Sequence, residues 1–111
     1  VDGGMADNPR YALYKAKYEA MLANKMNQEA DTTYTVAGKC CESGDMLVMD
    51  AKLPKAEQGD LLLVSSTGAY NYSMSSNYNR LPKLPVVFVK DGTSRLVVKG
   101  ETLEDLIRQD I

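Results

Sequence analysis

"VVFVKDGTSRLVV", Val86 to Val98, consists of two β-branched runs around Asp91-Gly92. Aspartate and glycine tolerate the positive φ that a two-residue hairpin demands, and the flanking valines favour extended backbone. The stretch predicts an antiparallel hairpin, and it sets the class for what surrounds it. Toward the N-terminus, Leu61 to Ser65 is apolar enough for a buried strand, and the loop "LPKAEQGD" before it is broken by Pro54 and Gly59. Met46 to Met49 reads as an apolar strand opened by a Gly44-Asp45 turn, and Tyr34 to Ala37 as a short strand behind the polar loop Asn27 to Thr33. Toward the C-terminus, "ETLEDLIRQ", Glu101 to Gln109, puts Leu103, Leu106 and Ile107 on one helical face with acids in its first turn. Short strands separated by turn signals predict a mainly β fold, a barrel or sandwich with short peripheral helices.

One segment leaves two readings open. In "RYALYKAKYEAMLANKM", Tyr11, Tyr14, Tyr18, Met21 and Leu22 fall at helical spacing. Tyr18 to Ala23 equally fits a strand that follows a single helical turn.

The 111 residues suffice for one domain, 1–111, and the apolar share of 44% is enough to fold it. A net charge of -2 argues against a general nucleic-acid binder, which needs a basic face. No apolar run approaches the roughly 20 residues that span a bilayer, and no secretory signal pattern is present. The absence of histidine excludes a Ser-His-Asp triad within the chain and works against a zinc site. The only two cysteines, Cys40 and Cys41, are adjacent, and a bridge between neighbours would be strained. Reduced thiols suggest a cytoplasmic setting. The opening "VDGGMADNPR" reads as the end of a strand running into a glycine turn. It fits a cut through a larger protein as well as the removal of an initiator or tag.

Chemistry gathers in three places. "GKCCESGD", Gly38 to Asp45, sets both thiols beside acids. Two adjacent cysteines are ordinarily small buried hydrophobes, and an isolated glutamate such as Glu42 is ordinarily a solvated surface acid. Gly44 and Asp45 shape a turn. Arg10 and Tyr14, four apart, share a face on a helical turn. Tyr70 precedes "NYSMSSNYNR", in which Tyr72 and Tyr78 read as packing residues. Interleaved aromatics can also mark a single-stranded RNA surface, but no basic patch accompanies these.

In this order, "DGGMADNPRYALY", "GKCCESGD" and "STGAYNYSMSSNYN" resemble the C-terminal part of the meso-diaminopimelate decarboxylases, pyridoxal-phosphate enzymes of lysine biosynthesis. The resemblance runs from Val1 to "RLVVKGETLEDLI". It implies a C-terminal β-domain whose N-terminal (β/α)8 barrel, carrying the Schiff-base lysine and most of the pyridoxal 5'-phosphate site, is absent from the chain. It also implies a homodimer with shared active sites, and a fragment that is inactive alone.

The same resemblance assigns roles to single residues. Loss of carbon dioxide leaves an α-carbon that must be protonated, and a thiol is a suitable acid near neutral pH. The family's acid stands directly before Glu-Ser-Gly-Asp, which makes it Cys41; Cys40 receives no catalytic role. Glu42 would face the distal ammonium of the substrate, Arg10 would grip a carboxylate with Tyr14 beside it, and Tyr70 would reach both cofactor and substrate. Many members have proline after the arginine where this chain has Tyr11, a change that alters the stiffness of the turn. Decarboxylases of ornithine, arginine or carboxynorspermidine share the fold, and a stand-alone, non-catalytic β-module that binds a protein partner is the reading from another class. "CESGD" with "RYALY" favours diaminopimelate.

Overall fold

The computed structural model describes residues 1–111, and the chain divides into two compact units, Val1–Ser75 and Ser76–Ile111. It is mainly sheet with a few short helices, and all of its strand pairs are antiparallel. The strands pair as three two-stranded sheets, and none closes on itself. No helix is long and apolar enough to cross a membrane.

In the first unit, α1 (Arg10–Tyr14) is a single turn that ends where Lys15 enters the left-handed region at φ 56. The ambiguous segment thus resolves into one helical turn followed by strand β1 (Ala20–Leu22). The left-handed residue stops the helix before Tyr18, so the helical spacing holds for Tyr11 and Tyr14 and is not continued to Tyr18, Met21 and Leu22. Strands β2 (Thr32–Ala37) and β3 (Met46–Leu53) form the second pair, and β4 (Leu62–Val64) pairs with β1. Two expectations change here. Strand β2 begins inside the expected loop, at Thr32, and β3 runs past Met49 to Leu53. The register slips between Tyr34/Ala51 and Val36/Val48, with Asp50 in the left-handed conformation at φ 55. That bulge re-phases the strand, so Val48 is buried before it and Ala51 and Leu53 after it; a second slip, between Val36/Val48 and Ala37/Met46, lets the adjacent Leu47 be buried as well.

Leu22, Val36, Leu47, Val48, Ala51 and Leu53 form the core, with Tyr18, Ala20, Tyr34, Leu62 and Val64 packed around them. Burying each large aliphatic side chain contributes about 1.5–3 kcal/mol relative to leaving it exposed. The Tyr34 hydroxyl accepts a hydrogen bond from the Ala56 amide at 2.9 Å and so fastens the loop after β3. Strand β4 is not the buried strand its apolar run suggests: Leu62 and Val64 turn inward, while Leu63 is 44% exposed. A strand with a neighbour on one edge and a core on one face needs apolar residues only at alternate positions.

Helix α2 (Asn71–Met74) closes the first unit. In the second, β5 (Val86–Lys90) and β6 (Thr93–Val98) form the predicted hairpin, with Asp91 at φ 50 and Gly92 at φ 71. Positive φ at both turn residues matches the right-handed twist of the strands. Helix α3 (Leu103–Ile107) starts with a capping box, in which Thr102 Oγ1 accepts from the Asp105 amide and the Asp105 carboxylate accepts from the Thr102 amide. Glu101 accepts from the Lys83 amide at 2.8 Å, and Arg80 ion-pairs with Asp110 at 2.8 Å.

Candidate functional site

The segment that presents Arg10 is built on a glycine turn. The Gly4 carbonyl accepts from the amides of Asp7 (2.9 Å) and Asn8 (3.0 Å), and Asn8 Oδ1 accepts from the Arg10 amide at 3.3 Å. Pro9 has φ -78, close to helical, and leads into α1 without donating a hydrogen bond of its own. Arg10 and Tyr14 then stand on one side of the turn, with the guanidinium carbon 5.5 Å from the Tyr14 ring centre.

The same guanidinium lies 4.5 Å from the centre of the Tyr70 ring, and its Nη1 reaches Met74 Sδ at 3.9 Å. Tyr70 caps α2, which carries Met74 on its last residue. Arg10 therefore has two phenols and a thioether around it, yet it takes part in none of the ion pairs, which involve Lys25 and Arg80. A guanidinium framed by soft, weakly hydrating groups and committed to no carboxylate is suited to an incoming anion. Tyr14 and Tyr70 remain exposed, so their hydroxyls face solvent and any ligand. Asn8 and Asn71, chain neighbours of this group, are buried, and Asn8 Nδ2 and both amide atoms of Asn71 have no protein partner. Nothing in the sequence singles them out, because an asparagine beside a turn is commonplace.

The second group is the loop that joins β2 to β3. The Gly38 amide donates to the Asp45 carbonyl at 2.9 Å, the Glu42 amide to the Cys40 carbonyl at 2.8 Å, and the Asp45 amide to the Glu42 carbonyl at 3.0 Å. This winding turns Cys40 inward and leaves Cys41 and Glu42 exposed, and no disulfide joins the two thiols. Burial pushes the Cys40 thiol above its ordinary range; the Ala6 amide opposes that, and the Asp45 carboxylate adds to it. Cys40 is thereby held as a neutral, packed side chain. Glu42 Oε1 accepts from the Gly44 amide at 3.0 Å, which fixes the carboxylate on the loop next to Cys41 in sequence. Of the residues singled out by sequence, the structure brings Arg10, Tyr14 and Tyr70 into one group, and Cys41 with Glu42 into another. Tyr72 and Tyr78, expected to pack, are instead exposed at the surface, since each sits on a one-turn helix with no core behind it.

The chain is thus a short-stranded sheet domain that displays a thiol and an acid on one loop and an arginine–phenol group around α1. Residues 1–68 match the family described as pyridoxal-dependent decarboxylase, C-terminal sheet domain, and the chain belongs to that family. Among curated relatives, the diaminopimelate decarboxylase of Bacillus subtilis (strain 168) is 59% identical over 100% of this chain and 25% of that protein. The diaminopimelate decarboxylase of Synechocystis sp. is 56% identical over 99% of this chain and 24% of its own length. Among solved structures, the diaminopimelate decarboxylase from M. jannaschi superposes with a TM-score of 0.90 at 35% identity, covering 99% of this chain and 25% of that one. That from Helicobacter pylori, complexed with L-lysine, gives 0.86 at 40% identity over 97% of this chain and 26% of its own. The chain thus spans about a quarter of the length of the curated relatives it matches.

Proposed function

We propose that this chain is the C-terminal sheet domain of a pyridoxal-phosphate enzyme that decarboxylates meso-diaminopimelate to L-lysine, and that it supplies the proton donor and the substrate contacts. The observation that carries the reading is the split between the two thiols: Cys40 is buried, while Cys41 is exposed on the loop that also exposes Glu42. The likeness to diaminopimelate decarboxylases over the whole chain supports the choice of substrate.

The donor set suits the cofactor's anionic groups. Arg10 is committed to no acid, and the Tyr14 and Tyr70 hydroxyls can donate to a phosphate or a carboxylate. Pyridoxal phosphate, when bound, accepts the electron pair that departing carbon dioxide leaves at the α-carbon. The remaining work falls to the chain's side chains. Arg10 grips a substrate carboxylate through two parallel N–H bonds, with Tyr14 beside it. Glu42 meets the distal ammonium; diaminopimelate differs from ornithine in carrying a carboxylate beside that ammonium. Tyr70 stands against the cofactor and the substrate. Cys41 Sγ delivers its proton to the α-carbon, and the thiolate recovers a proton from solvent. The Schiff-base lysine belongs to an N-terminal (β/α)8 barrel in the full-length protein, and residues 1–111 act as one C-terminal domain beside it. Two subunits form a dimer in which each active site takes Cys41 and Glu42 from the opposite chain.

The test is substrate choice by the full-length protein loaded with pyridoxal phosphate. Carbon dioxide release and the amine product are measured with meso-diaminopimelate, ornithine, arginine and carboxynorspermidine. Lysine formed from meso-diaminopimelate, with the other three at least tenfold slower in kcat/KM, is the expected result. Preference for any of the three overturns the assignment.

A further inference from the structure

Asp45 is the one charged residue in the interior, 2% exposed. Its two carboxylate oxygens are used by different parts of the chain. Oδ2 accepts from the Cys40 amide at 2.7 Å, and Oδ1 accepts from the Met5 amide at 2.6 Å. Its main chain closes the same loop, with its carbonyl on the Gly38 amide and its amide on the Glu42 carbonyl. The surroundings leave the carboxylate no slack. A Cβ on Gly4 would stand 2.9 Å from Oδ2, and one on Gly38 would collide with both oxygens and with Gly4 Cα. Glycine is required at both places by close approach rather than by φ.

From Met5 the connection continues toward Arg10. Gly4, the residue before Met5, accepts from Asn8, and Asn8 accepts from Arg10. A run of hydrogen bonds therefore leads from the Lys39–Cys40 peptide through one buried carboxylate, the Gly4–Met5 peptide and the Asn8 side chain to the turn that carries Arg10. We propose that Asp45 is a positioning residue that holds Cys40 inward and Cys41 outward and fixes the thiol relative to Arg10. The proposal rests on the reading of Cys41 as proton donor and Arg10 as the substrate grip. Asparagine has the same shape but offers one acceptor oxygen and one NH2 group. It can serve the Cys40 amide or the Met5 amide, and the other N–H then faces an N–H. A carboxylate serves both at once, and its charge strengthens both bonds.

The experiment compares Asp45→Asn with wild type in the full-length protein loaded with pyridoxal phosphate. Kinetics are normalised to folded sites, and iodoacetamide labelling of the two thiols is resolved by fragment mass spectrometry. Misplacing the thiol should lower kcat by on the order of 10²-fold, with KM within about twofold of wild type, because Arg10 keeps its frame of Tyr14, Tyr70 and Met74. Cys40, protected in the wild type, should become labelled. Leu53→Val, which thins the core away from the loop, serves as the stability control and should lower the melting temperature with kcat per site and Cys40 protection intact. Should Asp45→Asn not fold, Gly4→Ala, which keeps the charge and crowds the carboxylate, is measured the same way with the same expected pattern. A folded variant of either kind with wild-type kcat and a protected Cys40 overturns the proposal. Cys41→Ala in the same assay separates the two readings. Full activity there removes Cys41 as the donor, while Cys40 labelling in Asp45→Asn still decides whether Asp45 holds the loop.

Discussion

Arg10 lies over the Tyr70 ring, its guanidinium carbon 4.5 Å from the ring centre, and no carboxylate competes for its charge. The phenol face orients the planar group and leaves its N–H edge open. Stacked arginine of this kind contributes about 0.5–1 kcal/mol at an exposed site, enough to favour one orientation but not to block an anion.

Lysine cannot replace that geometry. Arg10→Lys keeps the charge and loses both the fork and the stacking. In the full-length protein, kcat/KM for meso-diaminopimelate should fall by about 10–100-fold, mostly through KM. Tyr70→Phe, which retains the ring, should hold KM nearer wild type than Tyr70→Leu. An unchanged KM in Arg10→Lys would mean that Arg10 does not bind the substrate.

The two cysteines should behave unequally. Cys41→Ala removes the proposed proton donor, so kcat should drop by roughly 10²–10⁴-fold. Cys40→Ala replaces a packed neutral thiol by a slightly smaller apolar group, and steady-state kinetics should barely respond. Similar losses in both single variants would refute the assignment of the donor to Cys41.

Sharing of sites can be tested by mixing subunits. One full-length variant lacks the barrel lysine and the other carries Cys41→Ala; each alone should be nearly inactive. In a mixed dimer with exchanged sites, one of the two sites is complete. With equal amounts and random exchange half the dimers are mixed, so activity should recover to about a quarter of wild type. A mixture shown to have exchanged subunits, yet as inactive as its components, would place Cys41 in its own chain's site.

Away from the site, Asp60 should report acid sensitivity. Its carboxylate accepts from Lys25, from Asn24 Nδ2 and from the Glu57 amide, and these bonds lower its pKa from 3.8 to about 2. A carboxyl group with a lowered folded-state pKa stabilises fully above its unfolded value, and that contribution fades as pH falls through the folded one. Relative to Asp60→Asn, the wild-type advantage in urea should be flat above about pH 5, fall between about pH 4 and 2, and be gone by about pH 1. Urea leaves the ion pair unscreened, as guanidinium salts would not. An advantage that persists undiminished at the acid end would show that the pair is not its source.

Sequence rules reached the parts of the fold that depend on local chemistry. The Asp91-Gly92 hairpin was legible because only its turn residues matter, and the helix after Glu101 because its cap is local. The extent of β3 was not, since Asp50 interrupts the apolar run and the bulge it makes in the left-handed conformation lets the strand continue to Leu53. Burial of Leu61 to Ser65 was overestimated because apolar content does not say how many faces a strand covers. The candidate residues came from resemblance. What resemblance did not supply was Asp45, which follows a glycine and reads as an ordinary turn aspartate; its burial follows from a contact with Met5, far away in the chain.

The β5–β6 hairpin has a practical consequence. Each of its strands has one unpaired edge, and Val87, Phe88, Val89 and Leu96 leave apolar surface in the open, Val89 being 73% exposed. Open edges beside exposed valine and phenylalanine are what drive strand-to-strand precipitation. Preparations of the 111-residue chain should therefore clump in a concentration-dependent way, beginning at this hairpin, and a lysine placed at Val89 is the simplest change to keep them in solution.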